Sequence, residues 1–166
     1  EGDAGARLML IGEAPGKQED LTGRPFVGRA GKLLDALLAG IGLSRREVFI
    51  ANIVKHRPPG NRDPRDEEIR VCTPYLEEQI RIIRPEVIVT LGRHSSRYIL
   101  SFLPVGFDRI TDIRGTVYPC SLFGHPVRLI PTLHPAAALY NPAYRKALEE
   151  DFQVVGRELG GSPAEG

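Results

Sequence analysis

The sequence predicts an α/β fold in which a mainly parallel sheet carries helices on both faces. Short apolar runs alternate along the chain with segments of helical periodicity, and several of these runs are continuously apolar. Continuous apolar runs are typical of strands buried on both faces, and alternating strands and helices build parallel sheets. A chain of 166 residues is long enough for one domain with a full core.

The first half of the chain supplies two strands and two helices. The apolar runs RLMLI at 7–11 and VFIANIV at 48–54 predict buried strands. Apolar residues recur with helical spacing at 30–41 and at 66–83, and glycines or a proline follow each segment. The segments between these elements are rich in Gly, Pro and Asn, which indicates loops.

The second half repeats the pattern. VIVTL at 87–91 predicts a third buried strand, and 95–102 a short helix. Residues 115–123 and 126–132 predict a hairpin or two successive strands, and 143–159 a final helix. We expect one domain over 1–159 and a disordered tail at 160–166. The polar lead before the first strand is either a natural start or the edge of a chain that has lost an N-terminal element.

Composition excludes several classes of protein. The chain is 42% hydrophobic and 26% charged, with a net charge of +1, and it has neither a membrane-length apolar run nor a signal peptide. Cys72 and Cys120 are too few for a disulfide scaffold, which favours an intracellular protein. Nucleic-acid binding would need a local basic face, since the overall charge is nearly balanced.

Three loops leave the carboxyl ends of predicted strands, at 12–31, 52–66 and 134–141. Ligands of open α/β sheets bind at these ends, so we expect the site where the three loops converge. GRPFVGRA in the first loop approaches a P-loop, but Arg29 and Ala30 stand where Lys and Ser or Thr are needed. The nucleotide-phosphate interpretation is therefore weak.

Each of the three loops carries one or two candidate residues. Glu13 follows the first strand and could orient a water or stabilise positive charge, or it could cap local backbone amides. Phe26 is either core or a stacking platform for a base. Asn52 is either a satisfied core amide or a reader of a base edge. His134, in a rigid His-Pro turn, is either structural or catalytic, and Tyr140 nearby could enter a base stack.

These motifs resemble those of the uracil-DNA glycosylase superfamily, most closely its family four, the iron–sulfur branch. The matching strings are GEAPGKQEDLTGRPFVGRAGKLL, NIVKHRPPGNRDP, CTPYLEEQI, VIVTLG and PTLHPAAALYNP, and they are collinear over almost the whole chain. The resemblance implies a three-layer α/β/α sandwich around a four-stranded parallel sheet. It also implies removal of uracil from DNA by cleavage of the N-glycosidic bond, and uracil-containing DNA as the partner.

The resemblance also implies residue roles. Glu13 would activate or position water, and His134 would stabilise the departing uracil anion. Phe26 would stack on the flipped base and Asn52 would read its edge, with Gly12 and Ala14 beside them. DNA contacts would come from the second and third loops, at Lys55, Arg57, Asn61, Arg62, Ala136, Leu139 and Tyr140. Ala138 stands where a bulkier apolar residue is common, which moves the wedge to Leu139 or Tyr140.

The sequence departs from family four at the cluster. That family holds a [4Fe–4S] cluster with four cysteines, two of them ahead of the first strand. Of the four positions, this chain offers Cys72 and, where a cysteine is expected, His56. Histidine can ligate iron. Either the chain belongs to a longer protein with a Cys3His cluster, or this branch has lost the cluster.

A cross-linking branch of the superfamily shares the VKH string but adds a basic insertion with a second histidine, which HRPPGNRDPRDEE lacks. We therefore expect ordinary hydrolysis without a covalent DNA adduct, by a monomer in the cytoplasm of a bacterium or archaeon. The alternatives are a glycosylase for hypoxanthine or xanthine, a protein that binds uracil-DNA without turnover, and a nucleotide-binding protein.

Overall fold

The computed structural model describes residues 1–13, 17–53 and 65–160. Its sheet has five strands in the order β2-β1-β3-β5-β4. The bounds are β1 Leu8–Gly12, β2 Phe49–Asn52, β3 Val87–Leu91, β4 Tyr118–Leu122 and β5 His125–Thr132. The helices are α1 Lys17–Thr22, α2 Arg29–Ala39, α3 Asp66–Ile83, α4 Arg93–Leu100, α5 Ile110–Ile113 and α6 Pro142–Glu158.

The four strands β2, β1, β3 and β5 run parallel, as the apolar runs predict. The fifth strand is the difference from the four-stranded expectation. β4 pairs antiparallel with β5 across a tight turn, which is the hairpin interpretation of 115–132. β4 forms the sheet edge with alternating burial, and an antiparallel edge strand on a parallel sheet is common.

Alternate residues of each strand feed two separate cores, which gives the three layers. Leu8 and Leu10 point to the face that α2 and α6 cover, whereas Met9 and Ile11 point to the face that α3 and α4 cover. Side chains of a strand alternate between faces, so each central strand must be apolar on both sides. The predicted sandwich is therefore confirmed, and helices enclose the sheet on both faces.

The long predicted helices and the short helix predicted at 95–102, which is α4, are confirmed within about two residues of their predicted bounds, whereas the shortest elements were missed. α3 and β3 match 66–83 and 87–91. α1, α5 and the 3-10 turns at Arg45–Glu47 and Pro135–Ala138 were absent from the prediction. Elements of three to six residues are too short to display a helical period. The tail predicted at 160–166 lies outside the described residues after Gly160.

Candidate active site

The parallel strands bring their carboxyl ends to one edge of the sheet. Glu13 follows β1 directly, Asn52 ends β2, Gly92 follows β3, and His134 comes two residues after β5. Gly12 and Asn52 are paired in register between β1 and β2. We define the crevice by Glu13, Phe26, Asn52, Gly92 and His134 and their contacts. Two glycines decide how closely these side chains approach.

Gly12 holds Asn52 and Phe26 together. A β-carbon at Gly12 would lie 2.5 Å from Asn52 Oδ1 and 2.7 Å from two ring atoms of Phe26. Real β-carbons do not approach other heavy atoms so closely, so only glycine fits beneath the amide and the ring. Asn52 is 8% exposed and Phe26 is 5% exposed. The second strand and the first loop therefore place an amide and an aromatic ring side by side.

Phe26 is fixed through its backbone. It has a φ of 51°, a left-handed conformation that costs a non-glycine residue roughly 1–3 kcal/mol. The Arg45 guanidinium donates hydrogen bonds to the carbonyl oxygens of Pro25 and Phe26. A β-carbon at Gly31 would lie 1.7 Å from the Phe26 carbonyl oxygen, so α2 packs directly on this peptide. These contacts hold the ring of Phe26 in the crevice despite the unfavourable φ.

Gly92 holds Glu13 and His134 together on the other side of the crevice. It has a φ of +98°, and a β-carbon there would lie 2.5 Å from Glu13 Oε1 and 3.3 Å from the β-carbon of His134. Its N–H donates to the carbonyl of Thr132 at 2.9 Å. The Ser96 hydroxyl donates to the Gly92 carbonyl at 2.6 Å. The turn after β3 is therefore hydrogen-bonded on both sides of the glycine.

The Glu13 carboxylate lies at the start of α4. Its Oε1 accepts a hydrogen bond from the backbone N–H of His94 at 3.3 Å. The N-terminus of a helix carries partial positive charge and favours an anion. The side chain is only half-buried, so the carboxylate is oriented by the helix and remains accessible to a ligand. The capping role and the catalytic role that the sequence left open are therefore compatible.

His134 is a neutral imidazole with a defined tautomer. Burial lowers the pKa of His134 to about 4, so the ring carries no charge near neutral pH. The backbone N–H of Ala136 donates to His134 Nδ1 at 3.0 Å, which leaves the proton on Nε2. The ring stacks on Phe26, with centroids 5.5 Å apart and planes at 28°. The imidazole is thus a neutral hydrogen-bond donor in a fixed orientation.

A buried carboxylate supports the end of β5. Asp151 on α6 is 3% exposed. It accepts hydrogen bonds from the Thr132 hydroxyl at 2.6 Å and from Arg114 at 2.8 Å. Burial, the largest effect, raises the pKa of Asp151 above its ordinary value. This network fixes the backbone two residues before His134.

The loop after His134 separates the two candidate wedge residues. Leu139 is half-buried and packs against the core, whereas Tyr140 is 79% exposed. Arg29 Nη1 donates to the Tyr140 hydroxyl at 2.5 Å, and the guanidinium carbon lies 5.1 Å from the ring centroid. Ala138 is buried and Ala136 is exposed. Tyr140 is therefore the side chain that stands clear of the surface.

Several predicted site residues cannot be located. Ala14, Lys55, His56, Arg57, Asn61 and Arg62 lie outside the described residues. Cys72 lies within α3, and its side chain is not described. The predictions for these residues stay predictions.

The predicted cluster ligands His56 and Cys72 are not among the side chains that the structure describes. The described residues contain no group of three or more His, Cys, Asp or Glu side chains that could hold a metal ion. Cys120, the second cysteine of the sequence, lies half-buried on β4 and packs against the core beneath α3 and α4. Burial raises the pKa of the Cys120 thiol, which disfavours the thiolate that ligates metals. Cys120 is therefore a structural residue.

Sequence reasoning missed Gly92, Arg45 and Asp151. Gly92 had a visible signal, because it follows a continuously apolar strand and the end of every parallel strand reaches the same edge. Asp151 stands alone on the apolar side of a helical segment, which signals a paired carboxylate. Arg45 had no signal, since its contacts with the Phe26 loop bring together positions distant in the chain.

Comparison with known proteins agrees with this geometry. The profile of the uracil DNA glycosylase superfamily matches residues 1–155. The chain belongs to this superfamily. A type-4 uracil-DNA glycosylase of Saccharolobus solfataricus is 52% identical over 98% of this chain and 76% of its own length. Those of Sulfurisphaera tokodaii and Archaeoglobus fulgidus are 54% and 46% identical, over 98% and 96% of this chain and 74% and 80% of their own lengths.

These relatives confirm the family that the motifs indicate, including its fourth branch. Within the described residues, no helix is both long and apolar enough to cross a membrane.

Proposed function

We propose that this chain removes uracil from DNA by hydrolysing the N-glycosidic bond, and leaves an abasic site. The observation that carries the proposal is the convergence of Glu13, Asn52 and His134 around two glycines at one edge of the sheet. The similarity to type-4 uracil-DNA glycosylases supports the same reaction. The enzyme is a monofunctional glycosidase of DNA repair.

Glu13 and His134 address the two charges that develop as the bond breaks. Cleavage leaves an oxocarbenium-like sugar and an anionic base. The Glu13 carboxylate stabilises the sugar cation and positions the attacking water. His134 donates its Nε2 proton in a hydrogen bond to uracil O2, and the Ala136 N–H on Nδ1 keeps that tautomer in place. Preorganised groups of this kind act without reorientation during the reaction.

Asn52 and Phe26 select the base. The amide of Asn52 offers N–H to uracil O4 and C=O to uracil N3–H, a pattern that cytosine does not match. Phe26 supports the ring of the base, and its backbone clamp keeps the pocket in one shape. Gly12 lets the amide and the aromatic ring lie side by side, and we assign Ala14 to the same substrate-binding set.

Uracil reaches this pocket only when it leaves the base stack. Flipping costs a few kcal/mol of unstacking and unpairing. Tyr140, exposed and held by Arg29, fills the vacated place in the stack, while the backbone around Ala136 approaches the strand. Leu139, which precedes Tyr140, packs against the core. Lys55, Arg57, Asn61 and Arg62 in the second loop contact phosphates.

The experiment that tests this function is an excision assay with a panel of labelled oligonucleotides. Each carries one uracil, cytosine, thymine, hypoxanthine or xanthine at the same position, and hot alkali then cleaves abasic sites. We expect cleavage at uracil alone and no slowly migrating protein–DNA adduct. Cleavage at hypoxanthine or xanthine without cleavage at uracil would reassign the substrate. Tight binding of uracil-DNA without cleavage would make the protein a binder.

No step of this mechanism uses an iron–sulfur cluster. The iron–sulfur cluster that the resemblance implies is a separate proposal. It takes two ligands from His56 and Cys72, and it requires two more from residues that this sequence does not contain. Iron and sulfide analysis of anaerobically purified protein tests it. Iron in stoichiometric amount that is lost in Cys72→Ser would support the proposal, and iron-free protein with full activity would remove it.

We also propose that residues 1–159 act as a single catalytic domain and that the enzyme works as a monomer on DNA in the cytoplasm. The related type-4 uracil-DNA glycosylases of Saccharolobus solfataricus and Archaeoglobus fulgidus support the cytoplasmic setting. Light scattering at the concentrations of the excision assay tests the monomer, and a stable dimer would contradict it.

A further inference from the structure

A groove lies beside the crevice, between α2 and the start of α6. It has a volume of about 700 Å³. Three cationic side chains line it, Arg29 and Lys32 from α2 and Arg145 from α6. Leu33, Ala138 and Leu139 provide an apolar surface between them. We call this the α2–α6 groove.

The groove is positively charged, and two of its cationic side chains can bind an anionic ligand. No carboxylate stands among the described residues that line it. Lys32 is exposed, and its ammonium group makes no ion pair or hydrogen bond with any other described residue. Arg145 pairs with Glu149 one turn further along α6, at 3.2 Å. Because both of these side chains are more than half exposed, this ion pair is weak and can be exchanged for a phosphate.

The groove is continuous with the loop that carries His134. Ala138, the last residue of the 3-10 turn Pro135–Ala138, and the residues that follow it form one wall, and the exposed Tyr140 forms the rim. Arg29 joins the two sides, because it begins α2 and bonds to Tyr140. The groove therefore lies next to the place where DNA would present a base to His134 and meet Tyr140 in its stack.

We propose that the α2–α6 groove binds the phosphodiester backbone of DNA next to the flipped nucleotide, with Lys32 and Arg145 as the phosphate contacts. The proposal rests on the proposed function, since it adds a backbone subsite to the same substrate. Arg29 stays with Tyr140 and keeps the wedge upright. Cationic side chains around an apolar floor, with an aromatic rim, suit a polyanion with stacking bases better than the apolar centre of a protein interface.

The test measures how DNA affinity depends on salt. Each phosphate contact contributes about 0.9 to the slope of log affinity against log salt. The ligand is a duplex with one uracil on a fluorinated, cleavage-resistant sugar. We expect the double variant Lys32→Ala, Arg145→Ala to bind more weakly at low salt and to lose about two from this slope. Affinity should change more than the single-turnover rate at saturating enzyme.

Arg157→Ala is the matched control. Arg157 is an exposed arginine in the last turn of α6, whereas Arg145 lies in its first turn. The control removes the same charge from the same helix and should keep the wild-type slope. If the control and the double variant had equal slopes of log affinity against log salt, the proposal that the groove binds phosphates would be overturned. If the wild type bound DNA with a steep salt dependence but never excised uracil, the proposed function would be overturned, whereas DNA binding in the groove would still be supported.

Circular dichroism and thermal unfolding of each variant check that the fold is intact. The single variants Lys32→Gln and Arg145→Gln, which keep a long side chain and its packing, should each lose about one from the slope. A loss of affinity that is the same at every salt concentration would mean that the contact is not ionic, which would also overturn the proposal.

Discussion

The crevice and the α2–α6 groove share the His134 loop, yet they are built in opposite ways. In the crevice, Asn52 and Phe26 are almost fully buried, and two glycines leave less than a methyl group of space. In the groove, Lys32 and Tyr140 extend into solvent. Bond breaking needs groups placed to a fraction of an ångström, whereas attraction of phosphates acts over several ångströms and tolerates mobile side chains.

The comparison predicts two classes of variant. Changes in the crevice should act on the rate of the bound complex, and changes in the groove should act on affinity and its salt dependence. A crevice variant that changed only DNA affinity, or a groove variant that changed only the rate of the bound complex, would show that binding and chemistry are not separated in this way.

Glu13→Gln should have the largest effect. The amide cannot stabilise a sugar cation or accept a proton from water, and such groups contribute about 10²–10⁴-fold to rate. We expect single-turnover excision to fall by that range while DNA affinity and its salt slope persist. Glu78→Gln, an exposed glutamate on α3, is the control and should leave the rate at the wild-type value. An undiminished rate in Glu13→Gln would remove Glu13 from the chemistry.

Gly92→Ala should come next, although it adds only a methyl group. The β-carbon would overlap Glu13 Oε1 and press on His134, at a φ that disfavours alanine. A shift of about 1 Å in a catalytic group can cost about 10²-fold in rate. The control is Gly106→Ala, where a β-carbon meets nothing within 4 Å. Equal single-turnover rates in the two variants would show that Glu13 and His134 do not depend on the Gly92 turn.

Asn52→Asp should change which base is cleaved. A carboxylate only accepts hydrogen bonds, so it repels uracil O4 and can accept from the amino group of cytosine. Loss of a buried hydrogen bond of this kind costs about 1–3 kcal/mol. We expect slower excision of uracil and measurable excision of cytosine in the oligonucleotide panel. If uracil excision stays normal and cytosine is never cleaved, Asn52 is a structural amide.

The pH dependence should show the smallest effect. Because the pKa of His134 is lowered to about 4, the imidazole stays neutral from pH 5 to 8 and should add no inflection to the excision rate there. The unfolded chain binds this proton at an ordinary histidine pKa of about 6.5. Folding stability should therefore fall as pH drops from about 6.5 towards 4, and not above that window.

Thermal unfolding of the wild type and of His134→Gln, at pH 7.5 and at pH 5, measures how much His134 contributes to the pH dependence of folding stability. The wild type should lose more stability than the variant at the lower pH. An equal loss in both, or an NMR titration of the His134 ring near an ordinary histidine pKa, would contradict the neutral imidazole.

The long, periodic elements were predictable because each one carries its own signal. α3 shows a repeated apolar face and β3 a continuous apolar run, and both keep their predicted bounds. The positions of Glu13, Asn52 and His134 at one edge followed from parallel strands alone. Nothing in the sequence distinguished a core asparagine from one in the crevice, because that depends on Gly12, forty positions away in the chain.

What could not be predicted are contacts between distant segments. Arg45 belongs to a short 3-10 turn and looks like an ordinary surface charge, yet it clamps the Phe26 loop. The groove needs α2 and α6 to lie side by side, and no local pattern specifies which helices are neighbours. The antiparallel β4 was left open between two interpretations, since a hairpin and two successive strands share the same turn residues.

A mass balance of one turnover distinguishes hydrolysis in this crevice from binding alone and from cross-linking to DNA. Excess protein is mixed with a uracil-containing duplex, and free uracil, abasic DNA and intact protein are quantified together over time. We expect equal amounts of free uracil and abasic DNA, protein of unchanged mass, and almost no product from Glu13→Gln in the same interval. Bound DNA that releases no uracil, or protein that gains the mass of the DNA, would contradict hydrolysis in this crevice.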